Sequence, residues 1–107
     1  LRKFGKEKAA GKFIEKAWQA APHERLIPLY LEVKSTKTDL ENFRAIQHLA
    51  TFSPDHPDSY IMMTRYAIKA RLWGPAHDAL NKLNDQGLTS KRTYDLMAEL
   101  ETAEKNQ

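Results

Sequence analysis

The sequence predicts an all-α fold in which about six helices form antiparallel hairpins. Apolar residues recur at the i, i+3, i+4, i+7 spacing that places them on one face of a helix. Residues that start or stop helices lie between these segments, and no run of alternating β-branched residues indicates a strand. The same apolar pattern also returns twice along the chain, at nearly equal intervals.

The predicted helices are separated by turn and capping residues and cover 3–20, 24–35, 39–52, 57–71, 75–86 and 90–105. Three of them carry a clear apolar stripe: Ala10, Phe13, Ile14 and Ala17 in the first, Tyr60, Met63, Thr64 and Ala67 in the fourth, and Ala76, Ala79, Leu80 and Leu83 in the fifth. These stripes are the predicted core of the fold.

Proline and a capping box set the boundaries in the first half. Pro22 ends the first helix, because its ring is incompatible with helical continuation. Pro28 falls about one turn into the second helix, which should therefore begin near Arg25 or bend there. Thr38 with Glu41 forms a capping box for the third helix, in which the hydroxyl satisfies an unpaired N–H and the carboxylate reaches back.

The boundaries in the second half follow the same rules. Residues 53–58 stop one helix and start the next, with Asp55 or His56 as the N-cap and Pro57 in the first turn. Pro75 is suited to the first position of the fifth helix. The remaining boundaries are a C-cap at residues 84–87 and a helix start at Thr89 and Ser90.

The length and composition of the chain exclude several classes of protein function. The 107 residues fit a single domain spanning 1–107. The longest apolar stretches, 26–31 and 60–63, are far shorter than the roughly 20 residues of a membrane span. The net charge is +3, and positive and negative residues are interspersed along the chain, whereas a nucleic-acid binder usually concentrates its positive charge on one face. The absence of cysteine excludes disulfides, thiolate catalysis and cysteine-based zinc sites.

The start of the chain has two distinctive features. Its charge is locally basic, with Arg2, Lys3, Lys6, Lys8, Lys12 and Lys16 against Glu7 and Glu15. A solvated helix face is the simpler interpretation, and an acidic partner or a lipid surface is the alternative. Leu1 opens a segment that already has a helical pattern, without a Met, so we expect a fragment of a longer protein.

The internal repeat specifies the architecture. Its matching positions are Ile14, Ala17 and Pro22, then Ile46, Leu49 and Pro54, then Leu80, Leu83 and Leu88. A period near 34 with two helices per unit resembles the tetratricopeptide repeat, and implies a short right-handed solenoid of stacked hairpins. Unit 57–88 matches best, whereas unit 24–54 has Tyr30 at a small-residue position. Residues 1–22 resemble a second helix, and 90–105 resemble a first or capping helix with Tyr94, Met97 and Ala98 in register.

Three segments carry a closer resemblance. They are residues 17–23 followed by Leu29 and Tyr30, residues 72–76 with Leu80, and residues 94–101. Together they resemble the carboxy-terminal part of proteobacterial HemY proteins over about residues 8–104. The resemblance implies an inner-membrane protein with membrane helices upstream, a soluble repeat region on the cytoplasmic face, and an association with haem biosynthesis but no established catalytic step.

The metal-binding and haem-binding residue types are present without the spacing those sites need. The histidines are His23, His48, His56 and His77, and none pairs with another at i, i+4. Met62, Met63 and Met97 are potential haem ligands, but Met63 and Met97 lie on predicted core stripes, where packing is the better explanation. We therefore expect no metal and no cofactor.

Catalysis and base stacking are also not expected. Glu99, Glu101 and Glu104 lie on the terminal helix without an evident base, orienting group or pocket, so the chain should not be an enzyme. The larger aromatics, Trp18, Trp73, Tyr60, Tyr66 and Tyr94, lie mostly on core stripes or in turns, which favours a structural role over nucleic-acid binding.

The predicted interaction site is the first helix of the best unit, where Asp58, Ile61, Arg65, Ile68 and Lys69 should line a concave face. Ile61 and Ile68 lie off the core stripe, and Arg65 and Lys69 could meet a partner's carboxylate. The alternative is that neighbouring repeats cover the isoleucines and water solvates the cations.

These observations support three hypotheses. The first is a non-catalytic interaction scaffold of a HemY-like protein, with haem-pathway enzymes among its candidate partners. The second is a haem or porphyrin carrier, or an accessory subunit of a haem-pathway enzyme. The third is a spacer or self-association surface. Nucleic acid is not an expected partner, and membrane attachment would be through segments outside this sequence.

Overall fold

The computed structural model describes the backbone of residues 2–87 and 90–106 and the side chains of 5–87 and 90–106. Six helices span this part of the chain: α1 Arg2–Ala20, α2 Leu26–Val33, α3 Asp39–Ala50, α4 Pro57–Lys69, α5 Trp73–Asp85 and α6 Lys91–Lys105. No strand occurs in these ranges. The predicted all-α class with about six helices is confirmed.

The helices pack mainly against their neighbours in sequence, as hairpins do. α1 packs on α2, α2 on α3, α3 on α4, α4 on α5 and α5 on α6. The additional packing of α4 on α6 places α4 among three helices. The resulting body measures 46 × 30 × 18 Å, an elongated form consistent with stacked hairpins.

Capping groups confirm several predicted boundaries. The Thr38 hydroxyl accepts a 3.1 Å hydrogen bond from the Glu41 N–H, as the capping box requires. The Glu41 carboxylate instead accepts from the Lys37 N–H at 3.0 Å, one residue earlier than expected. His56 is the N-cap of α4, where its Nδ1 accepts from the Asp58 N–H at 3.0 Å. Gly87 ends the α5 region with a φ of 73°, the left-handed conformation that glycine adopts readily.

Two boundaries refine the sequence prediction. α2 begins at Leu26 with Arg25 as its N-cap, so Pro28 occupies the third helical position, where the missing N–H is tolerated. α5 begins at Trp73, two residues before Pro75, so Pro75 also falls within the first turn. The predicted positions at Leu88 and Thr89 lie outside the described residues.

The core consists of two clusters of buried side chains. The first cluster joins α1, α2 and α3 with one residue of α4: Ile14, Trp18, Tyr30, Ile46, Leu49, Ala50 and Met62. The second joins α3 to α6: Phe43, Ile61, Ala67, Ile68, Ala76, Leu80, Leu83, Leu96 and Leu100. Tyr66 packs against both. The predicted stripe of α5 is fully confirmed, because all four of its residues are buried.

The predicted stripes of the two end helices are wrong in part. Phe13 on α1 is 73% exposed, and Tyr94 on α6 is 61% exposed. Met97 and Ala98 are exposed as well. The buried face of α6 carries Thr93, Leu96 and Leu100 instead. The repeat pattern assumes a helix on each side, and within the described chain each end helix is covered on one side only.

In that same part of the chain, no helix is both long and apolar enough to cross a membrane.

Candidate functional site

A groove of about 300 Å³ opens between α2 and α4. We call it the α2–α4 groove. Its apolar lining comes from α1, α2 and α4: Trp18, Ile27, Pro28, Ile61, Met62 and Tyr66. Its charged lining is Glu24, Arg25, Asp58, Arg65, Lys69 and Arg92. An apolar surface surrounded by charged side chains is a common composition for a protein-binding site.

The lining follows the repeat. Asp58 on α4 has equivalents one repeat period away on either side, at Glu24 and Arg92. Ile61 has its equivalent at Ile27, one period earlier. All five of these residues line the groove. The groove is therefore lined in part by residues that recur at the sequence period, at or just before the starts of α2, α4 and α6.

A buried hydrogen-bond chain fixes the indole at the bottom of the groove. The Trp18 Nε1 donates to the Ser59 Oγ at 2.9 Å, and the Ser59 hydroxyl donates to the Ser53 carbonyl at 2.7 Å. Trp18 and Ser59 are both fully buried. The ring therefore lies in one orientation, buried beneath the groove.

The charges around the groove are mainly positive, with four cations against two carboxylates. The Arg92 guanidinium lies 3.9 Å from the Asp58 carboxylate. The Lys69 Nζ lies 4.9 Å from the centre of the Tyr66 ring, within cation–π range. Burial raises the pKa of Tyr66, although the charge of Arg65 acts in the opposite direction. The groove therefore favours an anionic ligand.

The structure brings together four of the five predicted site residues. Asp58, Ile61, Arg65 and Lys69 all line the groove. Ile68 does not, and lies in the second core cluster. Ile61 and Ile68 are only 8% and 7% exposed, so neighbouring helices cover both isoleucines, as the alternative interpretation proposed. α4 packs on α3, α5 and α6 and also contacts α1 through Ser59, so its buried face is wider than a single stripe.

Sequence reasoning missed the groove residues outside α4. Trp18, Arg25 and Ile27 precede the best repeat unit, whereas the predicted site was confined to one helix of that unit. The missing signal was the period itself. Moving Asp58 and Ile61 by one repeat period identifies three further lining residues, Glu24, Ile27 and Arg92.

A second polar cluster, which the sequence analysis did not predict, joins α1, α2 and α3. The Tyr30 hydroxyl donates to the buried Glu15 Oε2 at 2.6 Å. The His48 Nε2 and Lys34 Nζ lie 3.5 and 3.9 Å from the same oxygen. Burial, with the adjacent Glu15 carboxyl, raises the pKa of the Tyr30 phenol. Glu15 lies three residues before Trp18 on the same helix face, and that spacing is the signal that could have identified it.

The histidines are separated from one another and have local roles. His56 caps α4, and the His23 Nδ1 accepts from the Arg25 N–H at 3.1 Å. The His77 Nε2 lies 2.7 Å from the Glu104 Oε1, an interaction between α5 and α6. No group of three or more histidine or acidic residues close enough to hold a metal occurs among the described side chains.

Comparison with known proteins adds no relative to this picture. No protein-family model matches the chain, and neither the curated proteins nor the solved structures contain a match.

Proposed function

We propose that this chain is a non-catalytic protein-interaction scaffold and that the α2–α4 groove binds a segment of a partner protein. The observation that carries the proposal is the equivalence of Glu24, Asp58 and Arg92, and of Ile27 and Ile61, in the repeat. A surface made from equivalent positions of successive hairpins is continuous, so it suits an extended or helical peptide better than a small molecule.

The chemistry of the lining defines the preferred ligand. Side chains such as Leu or Phe would pack on the accessible apolar lining, which is Ile27, Pro28 and Tyr66. Carboxylates would meet the cations, of which Arg25 and Arg65 form no ion pair with any side chain that the structure describes. A guanidinium can bind a carboxylate through two parallel hydrogen bonds, which adds orientation to the attraction. The proposed ligand is therefore an acidic segment with apolar anchors.

The cellular setting is a proposal that rests on the sequence resemblance. Residues 17–23, 72–76 and 94–101 resemble HemY proteins, and we propose that the scaffold belongs to a HemY-like inner-membrane protein, with this region on the cytoplasmic face. Haem-pathway enzymes are then the candidate partners. The groove supports the interaction role, whereas the choice of partner depends on the resemblance.

A peptide selection tests the groove directly. Displayed random peptides are selected on the purified chain, and binding of the selected sequences is measured by calorimetry and by the fluorescence of the two tryptophans. We expect enrichment of Asp and Glu next to Leu, Ile or Phe. Arg65→Glu and Lys69→Glu should each weaken binding by about tenfold or more, which corresponds to about 1.4 kcal/mol.

The matched control is Lys82→Glu, which reverses an exposed cation on α5 away from the groove. It should leave binding unchanged. Selected peptides without acidic residues, or binding insensitive to Arg65→Glu, would contradict the proposal. A haem titration of the same samples tests the alternative hypothesis of a haem or porphyrin carrier. A saturable Soret shift that is lost on substitution of Met62 would favour that hypothesis over the scaffold.

A further inference from the structure

Charge is distributed unevenly along the chain. Residues 1–37 contain nine basic and four acidic residues, whereas residues 38–107 contain eight basic and ten acidic residues. The two parts therefore carry net charges of +5 and −2, which together give the +3 of the whole chain. Because α1 is the first helix of an elongated stack, this separation concentrates positive potential at one end of the molecule.

Lysines form the exposed charged surface of α1. They are Lys6, Lys8, Lys12 and Lys16, and none forms an ion pair with a side chain that the structure describes. The acids on the described part of this helix are less exposed, since Glu7 is half-buried and Glu15 is buried. The Glu15 carboxylate already accepts a hydrogen bond from Tyr30. No fully exposed acid on this part of α1 therefore balances its lysines.

Three of these lysines form a straight stripe, and a fourth lysine from α2 lies beside it. Lys8, Lys12 and Lys16 are four residues apart, so they follow one face of α1 over about 12 Å. The Lys34 Nζ lies against the same helix, where it would be 3.8 Å from a Cβ atom at Gly11. We call Lys8, Lys12, Lys16 and Lys34 the α1 basic face.

The positions of the stripe stay exposed even where a helix lies on each side. α3 packs on α2 and α4, and α5 packs on α4 and α6. The repeat alignment gives exposed equivalents on both helices: Leu40, Arg44 and His48 on α3, and Gly74, Asp78 and Lys82 on α5. The stripe therefore belongs to the outer surface of the repeat, which a helix packed before α1 would leave uncovered.

A full count of charges shows that this outer surface is cationic only near α1. α3 with the turn before it has two cations and two acids, and α5 has one cation and two acids; they are Lys37, Arg44, Asp39 and Glu41, then Lys82, Asp78 and Asp85. α6 has three cations and four acids: Lys91, Arg92 and Lys105, then Asp95, Glu99, Glu101 and Glu104. Around α1, five lysines including Lys34 face two carboxylates.

The type of cation favours phosphates over the carboxylates of a protein. Every exposed cation among the described side chains of α1 is a lysine, whereas the α2–α4 groove contains Arg25, Arg65 and Arg92. An ammonium lacks the planar fork with which a guanidinium orients a carboxylate, so a row of lysines attracts negative charge without selecting a fixed arrangement of acceptors. The headgroups of a bilayer are mobile acceptors in one plane, which a straight stripe can meet along its whole length.

We propose that the α1 basic face docks on the surface of a bilayer that contains anionic phospholipids. The attraction is electrostatic and reversible, and each lysine near such a surface increases the partition coefficient by about fivefold. None of the four lysines lines the α2–α4 groove. The inference therefore goes beyond the proposed function and uses another surface of the molecule.

Sedimentation with vesicles tests the docking. The purified chain is mixed with vesicles of phosphatidylcholine alone, or of phosphatidylcholine and phosphatidylglycerol in a two-to-one ratio. Salt is varied from about 0.01 M to about 1 M, over which the screening length falls from about 30 Å to about 3 Å. The chain should sediment with the anionic vesicles at about 0.1 M salt, lose this binding at high salt, and leave phosphatidylcholine vesicles unbound. A wild-type chain that does not bind anionic vesicles at about 0.1 M salt overturns the proposal.

Two triple variants with the same net charge separate a local face from overall charge. Replacement of Lys8, Lys12 and Lys16 by Gln should lower the partition coefficient by about a hundredfold. The matched control replaces three exposed lysines elsewhere, Lys82, Lys91 and Lys105, by Gln and should retain most of the binding. Equal losses in the two variants overturn the proposal, because net charge alone would then explain the binding. Circular dichroism establishes that both variants retain their helices.

Two further measurements distinguish this face from an acidic protein partner and from the groove. Polyglutamate offers carboxylates without a bilayer and should bind more weakly than the anionic vesicles at equal salt. Tighter binding of polyglutamate that is lost in the Lys8, Lys12 and Lys16 variant overturns the lipid assignment in favour of an acidic protein. Arg65→Glu, which weakens peptide binding in the groove, should leave vesicle binding unchanged, so the two proposals fail independently.

Discussion

The Trp18 indole on α1 donates its only hydrogen bond to the Ser59 hydroxyl on α4, 41 residues later in the chain. This contact joins two helices that are separated in sequence by α2 and α3. The hydroxyl in turn donates to the Ser53 carbonyl in the loop before α4. One serine therefore fixes the position of the indole and of the start of α4.

Replacement of this serine should destabilise the fold. Ser59→Ala removes the acceptor and leaves the Trp18 N–H buried without a partner, so the free energy of unfolding should fall by about 1–3 kcal/mol. Urea denaturation monitored by circular dichroism measures the change. The matched control is Ser90→Ala, because Ser90 is exposed and its side chain makes no capping hydrogen bond. Equal effects of both substitutions would show that the Trp18 contact contributes nothing.

The phenol of Tyr30 should stabilise the contact between α1 and α2. Tyr30→Phe removes the 2.6 Å hydrogen bond to the buried Glu15, and we expect a loss of about 1–3 kcal/mol at neutral pH. Tyr94→Phe is the control, since Tyr94 is exposed. Its free energy of unfolding should stay within about 0.5 kcal/mol of the wild type.

The same pair predicts a pH dependence. The pKa of Tyr30 is raised in the folded state, so the unfolded chain releases this proton first. The contribution of Tyr30 is thus fully present below about pH 10, the usual phenol pKa, and decreases as the pH rises above it. The stability difference between wild type and Tyr30→Phe should shrink by about 1.4 kcal/mol from pH 9 to 11. A constant difference over that range would contradict the assigned direction.

Two glycines should respond to alanine in opposite ways. Gly87 has a φ of 73°, a conformation that destabilises a residue with a Cβ, so Gly87→Ala should lower the free energy of unfolding by about 1–2 kcal/mol. Gly74, in the first turn of α5, has no atom within 4 Å of an added Cβ and no positive φ. Gly74→Ala should therefore stabilise the chain by about 0.4–1 kcal/mol. Thermal denaturation of the pair provides the comparison.

Local chemistry explains why the helix boundaries were predictable. The Thr38 cap, the His56 cap and the Gly87 turn each depend on residues within four positions of one another. Their sequence signals are therefore complete without knowledge of the rest of the fold. The stripe of α5 was predictable for a related reason, because α5 is covered on the sides that the repeat pattern assumes.

Packing around α4 and at the ends was less predictable. Ile61 and Ile68 looked available because a single stripe accounted for the packing of α4, but α3, α5 and α6 all pack on it and α1 contacts it as well. Phe13 and Tyr94 looked buried because their spacing fits a stripe, but the fold places no described helix over them. Spacing identifies which side chains share a face and does not determine how many faces are covered.

Only the part of the candidate groove that α4 contributes was predicted from the sequence. Asp58, Arg65 and Lys69 belong to one helix and could be found by helical spacing. Trp18 and Arg25 come from other segments, and their proximity depends on the tertiary arrangement. The Glu15–Tyr30 hydrogen bond was missed because a carboxylate in a lysine-rich segment looked solvated, whereas the partner that stabilises it lies on another helix.

The division of the core into two clusters has a consequence for the order in which the chain opens. α4 contributes Met62 to one cluster and Ile61, Ala67 and Ile68 to the other, so unfolding of either end leaves α4 packed against the opposite half. Its amide protons should then exchange with solvent only when both halves open together, whereas those of α1 and α6 exchange through local opening at lower free energy. α4 is thus the last helix to open, and the two ends of the chain unfold and refold separately.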